Sequence, residues 1–133
     1  MLRYRLSSLR SLRRSAAFLA AGFFLGGCTS GADYSPLLNA EPAVGSTITE
    51  RLPRTLRLFY AALPNVDVST VTLTGPEGEY TLRGLHTMGA DDLMMEIYRP
   101  TLTNGDYTVK WETQVEGDSQ TYSGEYQFSV ALP

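Results

Sequence analysis

The chain has 133 residues, 43% of them hydrophobic, with one cysteine and a formal net charge of −3. All 14 acidic residues but only 6 of the 11 basic ones follow Gly27, so residues 28–133 carry a formal charge of −8. Such a surface excludes nucleic acid and anionic lipid headgroups as electrostatic ligands. A single cysteine excludes an internal disulfide framework, so the domain must be stabilised by packing alone.

The N-terminus has the three parts of an export signal. Residues 1–14 contain five arginines and no acid, and the ten-residue apolar run Ala16–Leu25 is followed by two glycines. This run is too short for a permanent membrane-spanning helix, which needs about 20 residues. We therefore predict a signal peptide over residues 1–27. The pair Arg13-Arg14 leaves twin-arginine export as the alternative to the general route.

Cys28 closes this signal, and the Gly-Gly-Cys junction resembles the bacterial lipobox, in which the cysteine becomes residue one and is lipidated. The alternative is an ordinary signal peptide with an incidental cysteine. Thr29, in place of Asp, resembles the pattern of Gram-negative lipoproteins that are sent to the outer membrane. We predict a lipid-anchored periplasmic protein on the inner leaflet of the outer membrane rather than on the inner membrane. Residues 28–39 are polar and contain a proline, which indicates a tether.

Short strand patterns follow the tether in chain order. Apolar and polar residues alternate over 55–60, 71–74, 80–82, 107–112 and 125–130, and a further strand is predicted over 93–98. Turn residues separate these segments, and beyond residue 30 the period of an amphipathic helix is not found. About seven short strands predict an all-β fold over residues 40–133, an immunoglobulin-like antiparallel β-sandwich with Greek-key topology.

The alternation also predicts the core, because one face of each strand is buried. The residues expected to be buried together are Trp111, Tyr107, Phe128, Leu58 and Val109. Leu102–Tyr107 has the form of a tyrosine corner, in which the Tyr hydroxyl binds the preceding backbone. We interpret these aromatic residues as structural.

Four segments, in order and with matching spacing, resemble a known family. They are AEPAVGS at 40–46, PRTLRLFY at 53–60, the Leu-x-x-Gly-x-Tyr-x-Val-x-Trp pattern at 102–111 and SGEYQFSV at 123–130. Together they make residues 37–131 similar to the CopC-type copper-resistance domain, a periplasmic immunoglobulin-like sandwich. The resemblance implies a copper-binding protein of copper homeostasis.

The resemblance also implies a Cu(II) site, formed by an amino-terminal histidine and an Asp-x-His motif before the last strand. Such ligands suit tetragonal copper(II). Asp118 matches the aspartate, but Gln120 stands in place of the histidine. Tyr34 and Pro36 occupy the places of amino-terminal histidines, and the loop after Trp111 is one residue longer than usual. We therefore predict that the Cu(II) site is absent and that Asp118 is its remnant.

A second candidate site lies around His86, the one histidine, because three of the four methionines lie within ten residues of it. Imidazole and thioether ligands suit Cu(I), and the resemblance includes members with a methionine-rich Cu(I) site. His86 and Met88 share a face of a strand, whereas Met94 and Met95 point to opposite faces. We predict a Cu(I) site of His86, Met88 and either Met94 or Met95. Alternatively, the methionines fill the core and the histidine has no role.

The sequence offers few residues for other kinds of site. Asp91-Asp92 is interpreted as a turn with solvated charges rather than as a pair of oxygen ligands. Nucleophilic catalysis needs an activated group beside a base, and the chain has one histidine and a thiol predicted to be lipidated, so we do not expect an enzyme. The leading hypothesis is a periplasmic lipoprotein that binds or passes Cu(I), with a copper-transport or copper-oxidase partner. The alternative is a metal-free immunoglobulin-like interaction module or accessory subunit of an envelope system.

Overall fold

Eight strands make up the fold in the computed structural model, which describes residues 34–133. They are β1 (Leu37–Glu41), β2 (Thr47–Ile48), β3 (Thr55–Tyr60), β4 (Thr70–Gly75), β5 (Gly78–His86), β6 (Asp92–Arg99), β7 (Gly105–Thr113) and β8 (Tyr122–Val130), with a 3-10 turn at Val66–Val68. The predicted signal peptide and lipidated Cys28 lie outside the described residues. Within residues 34–133, no helix is long and apolar enough to cross a membrane.

The strands follow the order β1-β3-β6-β5-β4-β7-β8-β2. Every neighbouring pair is antiparallel except β2 and β8. β5 pairs with β4 through Gly78–Tyr80 and with β6 through Thr81–His86, so it joins the two layers of the sandwich. The predicted all-β sandwich is confirmed. The parallel strand β2 was not predicted, because its two residues are too few to show alternation.

The domain begins at the edge of the first layer. β1 starts at Leu37, so residues 37–39, which the sequence assigns to the tether, belong to the sheet. Just before β1, the carbonyl of Pro36 accepts a hydrogen bond from Ala61 N.

The five predicted core residues are all buried in one cluster. Trp111 meets Tyr60 edge-on, with ring centroids 5.5 Å apart, and Tyr107 stacks on Phe128 at 5.3 Å. The indole is closely packed, since a Cβ atom added at Gly124 would lie 2.8 Å from Trp111 Cζ2. The core is therefore held by aromatic packing from both layers.

The tyrosine corner is also confirmed. The Tyr107 hydroxyl donates to Thr103 O at 2.6 Å and accepts from Thr103 N at 2.8 Å. Both backbone groups ahead of β7 are thereby satisfied, which fixes the direction in which the strand enters the core.

Replacing Trp111 with Ala should lower the free energy of unfolding by about 3–5 kcal/mol, because a large buried side chain leaves a cavity. Chemical denaturation measures this change. Lys110→Ala is the matched control, since Lys110 is the exposed neighbour on the same strand, and it should change little. An equal effect of both variants would contradict the position of the indole.

Candidate metal site

The end of β5 and the start of β6 bring three of the four predicted methionine and histidine ligands together. His86 is the last residue of β5 and the register partner of Met94 in β6, so the two side chains lie side by side on one face. Met88 follows in the loop, and its Sδ lies 3.1 Å from His86 Nε2. Met88 is 50% exposed, so this face is open to solvent.

A bulge in β5 produces this alignment. Arg83 pairs with Glu96 and His86 pairs with Met94, so three steps along β5 oppose two along β6. Gly84, inside the bulge, has a φ of +74°, a conformation that glycine adopts without a steric penalty. The extra residue turns His86 onto the outer face beside Met94.

The bulge also sets the orientation of the imidazole. Nδ1 of His86 lies 2.5 Å from the carbonyl oxygen of Gly84. Because a carbonyl can only accept, Nδ1 carries the proton and donates, and in the neutral imidazole the lone pair is then on Nε2. That lone pair faces the Met88 sulfur, a second electron-pair donor. A histidine whose other nitrogen is held by a backbone carbonyl is the usual arrangement at metal sites.

The two remaining methionines are separated by the strand's alternation. Met94 is half-buried on the outer face, whereas Met95 is 2% exposed and packs in the core. Of the two alternatives for a third ligand, the structure places only Met94 next to His86.

The interpretation of Asp92 as a solvated turn residue is wrong. Its side chain is fully buried, and Oδ2 lies 2.6 Å from Arg57 Nε. Oδ1 accepts a hydrogen bond from Met88 N at 2.9 Å. Its neighbour Asp91 is exposed, as predicted. Sequence reasoning missed Asp92 because its counter-ion lies on another strand, 35 residues away.

The cations around these ligands are paired with carboxylates. Arg57 is the register partner of Met94 on the other side, and it is neutralised by Asp92. Arg83 binds Glu96 at 2.8 Å, one step further along the same face. A bound cation would therefore not meet an uncompensated guanidinium here.

Asp118 lies in a different loop, and both of its carboxylate oxygens are engaged there. Oδ1 accepts from Gln120 N at 2.9 Å and Oδ2 accepts from the Tyr122 hydroxyl at 2.6 Å. The Tyr122 hydroxyl, and secondly the Gln120 amide, hold the pKa of Asp118 below its usual value. Gln120 is exposed. Within residues 34–133, no group of three or more His, Cys, Asp or Glu side chains is arranged to hold a metal ion.

Tyr122→Phe should raise the pKa of Asp118, because the hydroxyl stabilises the charged carboxylate more than the neutral acid. The stability from this bond is present above the unfolded pKa of about 3.9 and is lost as the pH falls through the lower folded pKa. A carboxyl-carbon NMR titration measures the shift, with Ser123→Ala as the control. An unchanged Asp118 pKa would show that the bond does not form.

Comparisons with known proteins agree with the fold and the sequence resemblance. The family model described as the CopC domain matches residues 37–131, the range that the sequence indicates. CopC from Methylosinus trichosporium OB3b superposes with a TM-score of 0.63 at 20% identity, covering 74% of this chain and 95% of that one.

Two structures of PcoC from Escherichia coli are also similar. A selenomethionine form, described as a copper resistance protein, has a TM-score of 0.62 at 22% identity and covers 71% of this chain and 98% of that one. PcoC described as a methionine-rich copper resistance protein has a TM-score of 0.60 at 24% identity, with coverages of 71% and 96%. At these identities the likeness establishes the fold. No curated protein matches the sequence significantly.

Proposed function

Since the chain belongs to the CopC domain family, we propose that it is a periplasmic copper-binding protein. We propose that its ligands for Cu(I) are His86, Met88 and Met94. One observation carries the proposal. The lone pair of His86 Nε2 and the sulfur of Met88 meet at 3.1 Å, with Met94 in register on the neighbouring strand. A ring nitrogen and a thioether sulfur, both copper ligands, thus lie side by side on an exposed face.

The ligand chemistry favours the cuprous ion. One imidazole and two thioethers are soft or borderline donors without formal charge, and they suit Cu(I) better than the oxygen-rich sets that hard cations prefer. The carboxylate of Asp92, which binds the Met88 amide, is fully buried, and its other oxygen is bound by Arg57. It therefore adds no hard ligand to the site.

Copper(II) is not expected at the family's usual position. Asp118 has both oxygens bound within its own loop, and the exposed amide of Gln120 offers no basic nitrogen. Tyr34 and Pro36 supply no imidazole in place of the amino-terminal histidines.

The surroundings of the site support exchange of copper with a partner protein. A groove of about 440 Å³ adjoins the metal-binding loop at Thr87. Its apolar wall is formed by Leu63, Pro64, Val66 and Val115. A copper-transport protein or a copper oxidase that docked there could reach the exposed sulfur of Met88. The same groove favours the alternative function, a metal-free interaction module of the envelope.

Cu(I) competition separates these two functions. In a titration of residues 30–133 against a Cu(I) chelator, one equivalent should bind. His86→Ala and Met88→Leu should each weaken binding by about tenfold or more, because each removes one donor atom. Met95→Leu is the matched control and should bind normally, since Met95 lies in the core.

Failure of the wild-type domain to compete for Cu(I) would favour the metal-free module. Tight Cu(II) binding by the same fragment would show that the Asp118 loop forms a site after all.

We also propose that Cys28 carries the lipid that anchors the protein to the membrane. Cys28→Ser should release the protein from the membrane fraction or leave it as uncleaved precursor, since serine offers no thiol for the thioether bond. Thr29→Asp is the companion variant and should keep the lipid but move the protein to the inner membrane. Recovery of the mature wild-type protein wholly in the soluble fraction would contradict the anchor.

A further inference from the structure

Asp92 is a buried carboxylate at the first position of β6. A buried charge is costly unless its oxygens are paired. Here Oδ2 is bound by Arg57 Nε at 2.6 Å and Oδ1 by Met88 N at 2.9 Å. The carboxylate therefore joins β3, through Arg57, to the loop that carries Met88.

This bond holds the backbone amide of Met88. Its side chain is 50% exposed, so packing alone does not fix it, and the residues after it, Gly89–Asp91, are exposed as well. The backbone–backbone hydrogen bonds of the loop are at its far end, where the carbonyls of Ala90 and Asp91 accept from Asp92 N and Tyr60 N. Asp92 is thus the anchor at Met88 itself.

Arg57, the partner of Asp92, has a second contact on its own strand. Arg57 lies on β3 in register with Met94, and its Cζ lies 4.7 Å from the centroid of the Phe59 ring. The guanidinium is therefore held between the ring and the carboxylate. Asp92 is thus placed to hold the Met88 amide, while the Met88 sulfur lies beside His86.

We infer that Asp92 is a positioning residue of the copper site, which holds Met88 beside His86 through the backbone amide and is itself held by Arg57. The inference rests on the proposed Cu(I) function. Asp92 is not one of the proposed ligands, because its side chain is fully buried and binds Arg57 and the Met88 amide. It acts through the Met88 sulfur, so its effect disappears when that sulfur is removed.

A double-mutant cycle tests this dependence. Asp92→Asn in the full chain, purified in detergent, should weaken Cu(I) binding 10- to 100-fold against bathocuproine disulfonate, the range for residues that orient a ligand. In a Met88→Leu background the same substitution should change the affinity less than about twofold, because coupled residues are not additive. Equal losses in both backgrounds, or no loss in either, would overturn the inference.

Glu96→Gln is the matched control, because Glu96 lies on the same face of β6 and its ion pair with Arg83 is exposed. It should leave Cu(I) affinity within about twofold of the wild type. An equal loss in Glu96→Gln and Asp92→Asn would mean that any charge change on this face weakens binding, which would contradict a positioning role.

If Asp92→Asn does not fold, Arg57→Lys replaces it, because lysine keeps the charge but lacks the guanidinium Nε. Arg57→Lys should weaken Cu(I) binding when Met88 is present and change it less than about twofold in the Met88→Leu background.

Amide exchange gives a second test without copper. In the metal-free protein the Met88 amide should exchange at least about tenfold faster in Asp92→Asn than in the wild type, while amides of β7 keep their protection. A wild-type protein that protects Met88 but fails to bind Cu(I) would refute the proposed function and leave the positioning intact. An unprotected Met88 amide in the wild type would overturn the positioning.

Discussion

The rest of the structure depends on one strand that belongs to both sheets. β5 hydrogen-bonds to β4 through its first residues and to β6 through its last, so the two layers are joined along a continuous backbone. Residues 34–133 contain no cysteine, so this connection is made by backbone hydrogen bonds and not by a disulfide. The bulge at Gly84 then turns the end of the same strand so that His86 faces outward beside Met94. The course of β5 therefore has two results: it closes the core and it places the His86 imidazole on the outer face.

The charges next to the candidate site are arranged to cancel. Residues 28–133 carry a formal charge of −8, yet the carboxylate that binds the Met88 amide, Asp92, is buried against Arg57. The candidate ligands are the exposed imidazole of His86, the exposed thioether of Met88 and the half-buried thioether of Met94. A hard divalent cation would find no free carboxylate among these groups, whereas a soft monovalent ion would find its preferred donors. The surrounding negative surface still attracts cations from solution.

The chain keeps the CopC scaffold and differs at the positions that the resemblance assigns to copper(II) ligands. Pro36 is buried, and its carbonyl binds Ala61 N, so this position serves the edge of the sheet. Asp118 closes its own loop through Gln120 and Tyr122. Scaffold and site are thus separable: aromatic packing around Trp111 preserves the fold while loop residues change their chemistry.

The sequence by itself determined the fold class and the core, and it supplied the candidate ligands. Alternation with period 2 placed Leu58, Trp111 and Phe128 inside, because a half-buried strand must follow that period, and it separated Met94 from Met95. Only the tertiary structure decided that Met94 is the one beside His86, since that depends on a bulge and on register between strands. It also decided that Asp92 is buried and paired with Arg57, 35 residues away. Local pattern carries no information about which distant residues meet, because that choice is made when the layers pack together.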